Sequence, residues 1–209
     1  MMKTLSLCSL VAILAITGGS ALAAPIVDGS VTGGDGYQFS LVDVAEPVAD
    51  FFNTGLDIDT INFASDATYG YMGLTTVASP IDTDGDPTSL FGQTGFWAIF
   101  YTDATMTTPL YRLVVALGGA PMVNLAQWTG VWTPVALAPA DYAVSAATDL
   151  ELGISLTKMT LPPTFYFVSQ LDGNGQWQDD QLAGTVPEPA TLGLMAIGGV
   201  ALAASRKRR

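Results

Sequence analysis

The 209-residue chain contains no histidine and one cysteine, Cys8, close to its start. Ser-His-Asp and Cys-His catalysis both need an imidazole base, so neither is open to it, and nor are zinc sites built from His or mature Cys. Cations are almost as scarce. Between residues 24 and 186 only Arg112 and Lys158 carry positive charge, two against eighteen acids, a formal balance of −16 that exceeds the −12 of the whole chain. Phosphate neutralisation needs clustered Lys and Arg, so nucleic-acid binding is excluded and anionic lipid surfaces are disfavoured. Solubility of a chain otherwise poor in charge is reason enough for the acids. Without cysteine beyond Cys8 there is no disulfide staple. The middle of the chain must be held by its core, and roughly 160 residues suffice for one domain.

What is present at the two ends is more informative. Lys3, an apolar stretch over 5–16 and a small-residue stretch ending Ala21-Leu22-Ala23 have the form of a secretory signal peptide with an A-x-A cleavage site. The expectation is a signal peptide over 1–23, cut after Ala23 by signal peptidase. Cys8 sits too early in it, and is too poorly flanked, for lipoprotein acylation. At the far end stand Pro187-Glu188-Pro189, an apolar run over 190–205, and the basic cluster Arg206-Lys207-Arg208-Arg209. As a helix that run would be about 24 Å long at ~1.5 Å per residue, short of a ~30 Å hydrocarbon core. It predicts a short transmembrane helix. The four cations after it resist translocation, which holds them in the cytoplasm and puts the preceding domain outside. Gly193, Gly198 and Gly199 would let another helix approach its backbone closely.

The order Val186-Pro187-Glu188-Pro189-Ala190, short Gly/Ala/Leu span, basic end resembles the PEP-CTERM sorting tail of exported Gram-negative proteins. The resemblance implies recognition by an exosortase, a membrane-embedded cysteine transpeptidase or protease, with cleavage near residues 187–189. It also implies company with exopolysaccharide. The motif residues Pro187, Glu188 and Pro189 would then be a substrate, not an active site, and the membrane would hold the tail until processing.

Between the ends, short aromatic and aliphatic segments recur between Gly, Pro, Asp and Ser clusters, which reads as strands and turns. Strands are predicted near residues 37–44, 58–63, 69–77, 96–102, 111–117, 123–128, 142–146, 150–156 and 165–170. Tyr37, Phe39 and Leu41 alternate onto one face, and Leu150, Leu152, Ile154 and Leu156 onto a face opposite Glu151, Gly153 and Ser155, as in half-buried strands. The continuous run Phe96-Trp97-Ala98-Ile99-Phe100-Tyr101 instead suits a strand covered on both sides, with Trp97 in the core. Two packed antiparallel sheets accommodate both patterns. The fold class is therefore all-β, an antiparallel, jelly-roll-like β-sandwich over 24–183, followed by the tail over 184–209, with 184–188 as a linker. A single helical turn is conceivable only near 48–52.

Residues Pro25-Ile26-Val27-Asp28-Gly29, Asp66-Ala67-Thr68-Tyr69-Gly70-Tyr71, Tyr101-Thr102-Asp103 and the segment 150–156 resemble, in order, landmarks of sugar-binding sandwiches, carbohydrate-binding module family nine and DOMON-like domains. That resemblance implies sugar binding. The chain departs from it where family members often carry a Trp soon after the opening Asp-Gly, since it offers Tyr37 at a longer spacing.

The chemistry left open is carboxylate chemistry. Glycoside hydrolysis needs two carboxyls at controlled separation, and Glu46, Glu151 and many Asp are available, although Asp in turn contexts such as Asp35-Gly36 and Asp172-Gly173 has local backbone to cap. Asp82, Asp84 and Asp86 alternate in one loop and could offer oxygens to Ca²⁺. An EF-hand it is not, because Pro87 replaces the required Gly and Gln93 the bidentate Glu; an Asp-Gly turn accounts for the cluster equally well. Asp172-Gly173-Asn174-Gly175 reads as a hairpin tip. Trp128 and Trp132 flank Thr129-Gly130-Val131, and Trp177 stands between two Gln; all three are candidates for stacking on sugar, or for packing under loops.

The expected function is that of an exported, exosortase-processed surface or matrix protein, structural or adhesive, associated with exopolysaccharide or biofilm. Its alternative is a carbohydrate-binding module. A carboxylate glycoside hydrolase ranks third, and no enzyme activity is expected.

Overall fold

Alternating apolar and polar residues produce eleven strands among the residues that the computed structural model describes, 23–43, 56–78, 80–81, 83, 95–118, 120–172 and 180–187. All of these except Ala23 fall within the unit Ala24–Pro189. The strands are β1 (Phe39–Val42), β2 (Ile58–Ser65), β3 (Tyr69–Thr76), β4 (Gly95–Tyr101), β5 (Pro109–Ala116), β6 (Met122–Trp128), β7 (Trp132–Val135), β8 (Tyr142–Ala146), β9 (Leu150–Ser155), β10 (Thr164–Asp172) and β11 (Asp180–Pro187). They pair antiparallel throughout, in a five-stranded sheet ordered β1-β2-β3-β9-β8 and a six-stranded sheet ordered β11-β10-β4-β5-β6-β7. The fold is the expected all-β sandwich. The only helix among the described residues is a 3-10 turn at Pro139–Asp141, and none there is long and apolar enough to cross a membrane. The run 190–205 and the stretch 48–52 lie outside the described residues.

The core lies between the sheets. From the smaller sheet come Ile61, Phe63, Met72, Leu74, Leu150, Leu152 and Ile154; from the larger, Phe96, Ala98, Phe100, Leu113, Val115, Phe165, Phe167, Leu182 and Val186. Phe63, Phe100, Phe165 and Phe167 meet there with ring centroids 5.1 to 6.4 Å apart. Each fully buried aromatic or aliphatic side chain of this kind contributes about 1.5–3 kcal/mol of transfer free energy. That is how a domain without disulfides closes.

Three expectations are corrected. The run 96–101 is not covered on both sides: Phe96, Ala98 and Phe100 are buried, while Trp97, Ile99 and Tyr101 point outward and are half-buried. Trp97 is therefore not a core residue. The reverse holds for β9, whose six residues are all buried, Glu151, Gly153 and Ser155 included. The cause is residues 25–37, which lie over the outer face of the small sheet, so that a Cβ built on Gly153 would sit 3.7 Å from Val27 Cγ2. Tyr37 belongs to this cover and not to β1. Finally, residues 184–187 are strand rather than linker, because Leu182 and Val186 alternate into the core and Gly184 through Pro187 pair with Phe167 back to Thr164. Pro187, lacking an N–H, is tolerated because β11 is an edge strand.

Candidate functional site

The two faces of the sandwich are finished differently. On the small sheet, Glu151 is fully buried and its carboxylate is saturated: Oε2 accepts the N–H groups of Asp28 at 2.9 Å, Gly29 at 2.8 Å and Ser30 at 3.3 Å, and Oε1 accepts the Tyr37 hydroxyl at 2.8 Å. Asp149 extends the clasp by accepting Val31 N–H at 2.9 Å. Burial raises the pKa of Asp149 against that hydrogen bond, and burial together with the Glu151 carboxylate raises that of Tyr37. A carboxylate committed to three amides and a phenol is an anchor for chain, not a free base. It joins two of the sequence landmarks, Asp28-Gly29 and the β9 segment. A third, Asp66, accepts Thr68 and Tyr69 N–H and the Tyr71 hydroxyl, and the fourth, Asp103, caps Thr105 and Thr108.

On the large sheet the outward positions are open in part: Arg112, Asn124 and Trp128 are exposed, while Gln170 and Ala126 are buried. Register places Gln170, Trp97, Val114 and Asn124 in one cross-strand row and Val168, Ile99, Arg112, Ala126 and Pro134 in the next. Tyr166 and Tyr101 face each other in a third. Trp128 and Trp132 form the last pair of the β6–β7 hairpin, closed by Thr129-Gly130-Val131, where Gly130 takes a φ of +93° that a side chain would resist. Their rings meet edge to face at 5.1 Å, and the Arg112 guanidinium lies 5.2 Å from the Trp132 centroid. Trp128 is 38% exposed and neighbouring Val131 66%. Edge-to-face aromatics and an arginine over indole are mutually attractive, which holds the rings in place in solvent.

Between its strand ends this face carries no acid among the described residues. The six strands of the large sheet contain two, Asp172 and Asp180, both at strand ends. Among the described residues the one ion pair joins Lys158 to Asp141 at 3.2 Å, and Arg112 has no carboxylate partner. Its role was not foreseen, although its place between Tyr111 and Leu113, both buried, marks it as outward.

Asp180 is pushed up to about 6 by burial, helped by Asp43 and Asp57 and opposed by the Ile58 N–H that its Oδ2 accepts. It ties the start of β11 to β2.

Of the other predicted site residues, Ala23 is exposed and irregular and Pro187 ends β11. Ala21, Trp177, Glu46, Glu188, Pro189 and the calcium candidates Asp82, Asp84 and Asp86 lie outside the described residues, as does the expected hairpin tip beyond Asp172. Among the described residues no three acids are arranged to hold a metal.

A family model described as the PEP-CTERM protein-sorting motif matches residues 185–209. The chain thus carries the sorting signal of exosortase-targeted, exported proteins of the cell envelope. Its first three residues, Thr185, Val186 and Pro187, belong to β11 as well. No curated protein matches the chain.

Proposed function

We propose that this exosortase-targeted chain is delivered across the inner membrane of a Gram-negative bacterium by a signal peptide cut after Ala23, is held by residues 190–205 until processing, and then works at the surface or in the extracellular matrix as a structural or adhesive component alongside exopolysaccharide. The observation that carries the reading is the sorting motif at residues 185–209 running directly out of the edge strand of a β-sandwich. A domain with no imidazole, no mature thiol and its one described glutamate bound up in backbone amides fits scaffold or adhesion better than catalysis. The Glu188→Ala variant tests the sorting step: it is expected to accumulate uncut in the inner membrane, and normal maturation would refute the proposal.

One observation favours a second reading, carbohydrate binding. Trp128 and Trp132 stand outward as a pair, as aromatic rings must to stack on the apolar faces of pyranoses. Titration with the producing organism's own exopolysaccharide, followed by tryptophan fluorescence, is expected to shift the emission; no change would discard the reading.

A further inference from the structure

Resting on the carbohydrate-binding reading, we propose that the outer face of the six-stranded sheet takes an acidic polysaccharide, with a pyranose stacked on Trp128, which Trp132 braces edge to face, and a uronate carboxylate held by Arg112. Three observations converge. The aromatic pair is anchored at the end of a hairpin, and the guanidinium lies 5.2 Å from one of its rings, so stacking and ion pairing fall within the span of one sugar residue. Arg112 is one of two cations between residues 24 and 186, and the other, Lys158, is engaged by Asp141 and by the Ala136 carbonyl. Eighteen acids are distributed over the same stretch, yet the strands behind this face carry acids only at their ends. A planar guanidinium with no carboxylate partner among the described residues, on a face whose described strands carry acid only at their ends, is matched to an anion presented in a plane.

A formal balance of −16 repels a second copy and a polyanion alike, but a uronate polymer presents to Arg112 a carboxylate on residue after residue. The same repulsion acts at long range on a polyanion, but at physiological ionic strength it is screened beyond about 8 Å while the contact at Arg112 persists. Binding should therefore strengthen from low to moderate salt, opposite to an ordinary basic groove. Asn124 on the flanking row is exposed and offers its amide to a hydroxyl of an adjoining residue, whereas Gln170 in the same row is buried and accepts from Gln181.

The test titrates the full chain with sodium alginate, a uronate polymer, and with a neutral β-glucan, in the presence of chelator, reading tryptophan fluorescence and calorimetric heat. Wild type is expected to bind alginate more tightly in 0.15 M than in 0.01 M salt. Arg112→Gln, which keeps much of the stem, should lose about tenfold or more for alginate, the worth of a charge-assisted hydrogen bond, and nothing for the glucan. Trp128→Ala should weaken both, with its melting temperature near that of wild type as the control for folding. Equal alginate affinity in wild type and Arg112→Gln overturns the proposal, and so does preference for the neutral glucan. Alginate binding that appears only when calcium is restored overturns it in favour of an ion bridge, and a dimer that dissolves on Trp128→Ala overturns it in favour of self-association. Absence of binding to either polymer removes the carbohydrate-binding reading itself.

Discussion

Oε2 of Glu151 accepts the backbone N–H of Gly29 at 2.8 Å, across 122 residues of chain. The segment around Gly29 is thereby tied to a late strand, and the outer face of the small sheet is sealed by residues 25–37. Glu151→Leu would leave one buried amide, two partly buried amides and a half-buried phenol without their acceptor, a loss of about 3 kcal/mol and roughly 10 °C in a domain of this size. Glu151→Gln, which keeps one acceptor oxygen, should cost about half as much. Thermal melts check both; a melting temperature within a degree or two of wild type would contradict the anchoring role.

Gly73 tests the same cover from beneath. A Cβ there would lie 2.5 Å from Tyr37 Oη and 2.8 Å from Val31 Cγ2, so Gly73→Ala must lift both side chains off the sheet. Amide exchange over residues 28–31 is expected to accelerate in that variant while the β4–β5 amides keep their protection.

Asp180 gives the fold a pH dependence with a defined sign. Its pKa rises on folding, to about 6, so the folded state holds the proton longer than the unfolded chain. Its contribution to stability is complete below about pH 4 and is lost as pH rises through 6. Asp180→Asn keeps an acceptor for Ile58 N–H and removes the repulsion from Asp43 and Asp57. It is expected to be more stable than wild type at pH 7.5, by on the order of 1 kcal/mol after discounting for partial exposure, and equal to it near pH 4. Denaturant melts at the two pH values check this.

The overlap of β11 with the sorting motif constrains processing. Val186 is 1% exposed and sits in the core with Leu182, so a chain ending at residue 183 loses half the strand and the pairing of Thr164 through Phe167. Relative to a chain ending at 187, it should lose at least about 2 kcal/mol, the transfer free energy of Val186 plus the ladder. Equal denaturant midpoints for the two truncations would contradict this.

The sandwich itself was legible because period-two alternation and turn residues are local signals. Its burial was not. The apolar run 96–101 looked doubly covered and the alternating 150–155 half-exposed, and the outcome is the reverse, since which outer face is sealed depends on residues 25–37 docking more than a hundred positions away. β7 was missed because Trp132–Val135 is four residues long and contains Pro134, and β11 because Gly184 and the polar Asp180, Gln181 and Thr185 dilute its pattern to Leu182 and Val186. Trp128 and Trp132 could be picked out as a pair from their flanking turn. Arg112 could not, because its nearness to Trp132 arises from strand pairing, and the absence of acids around it among the described residues is a property of the sheet as a whole.

Mass spectrometry of both termini of the protein recovered from its native host tests the central claim most directly. The expected species begins at Ala24 and ends at or just after Pro187, with β11 intact and the run 190–205 gone, in the envelope or extracellular fraction. Recovery of the chain from the cytosol with Met1 and Arg209 both in place would contradict it.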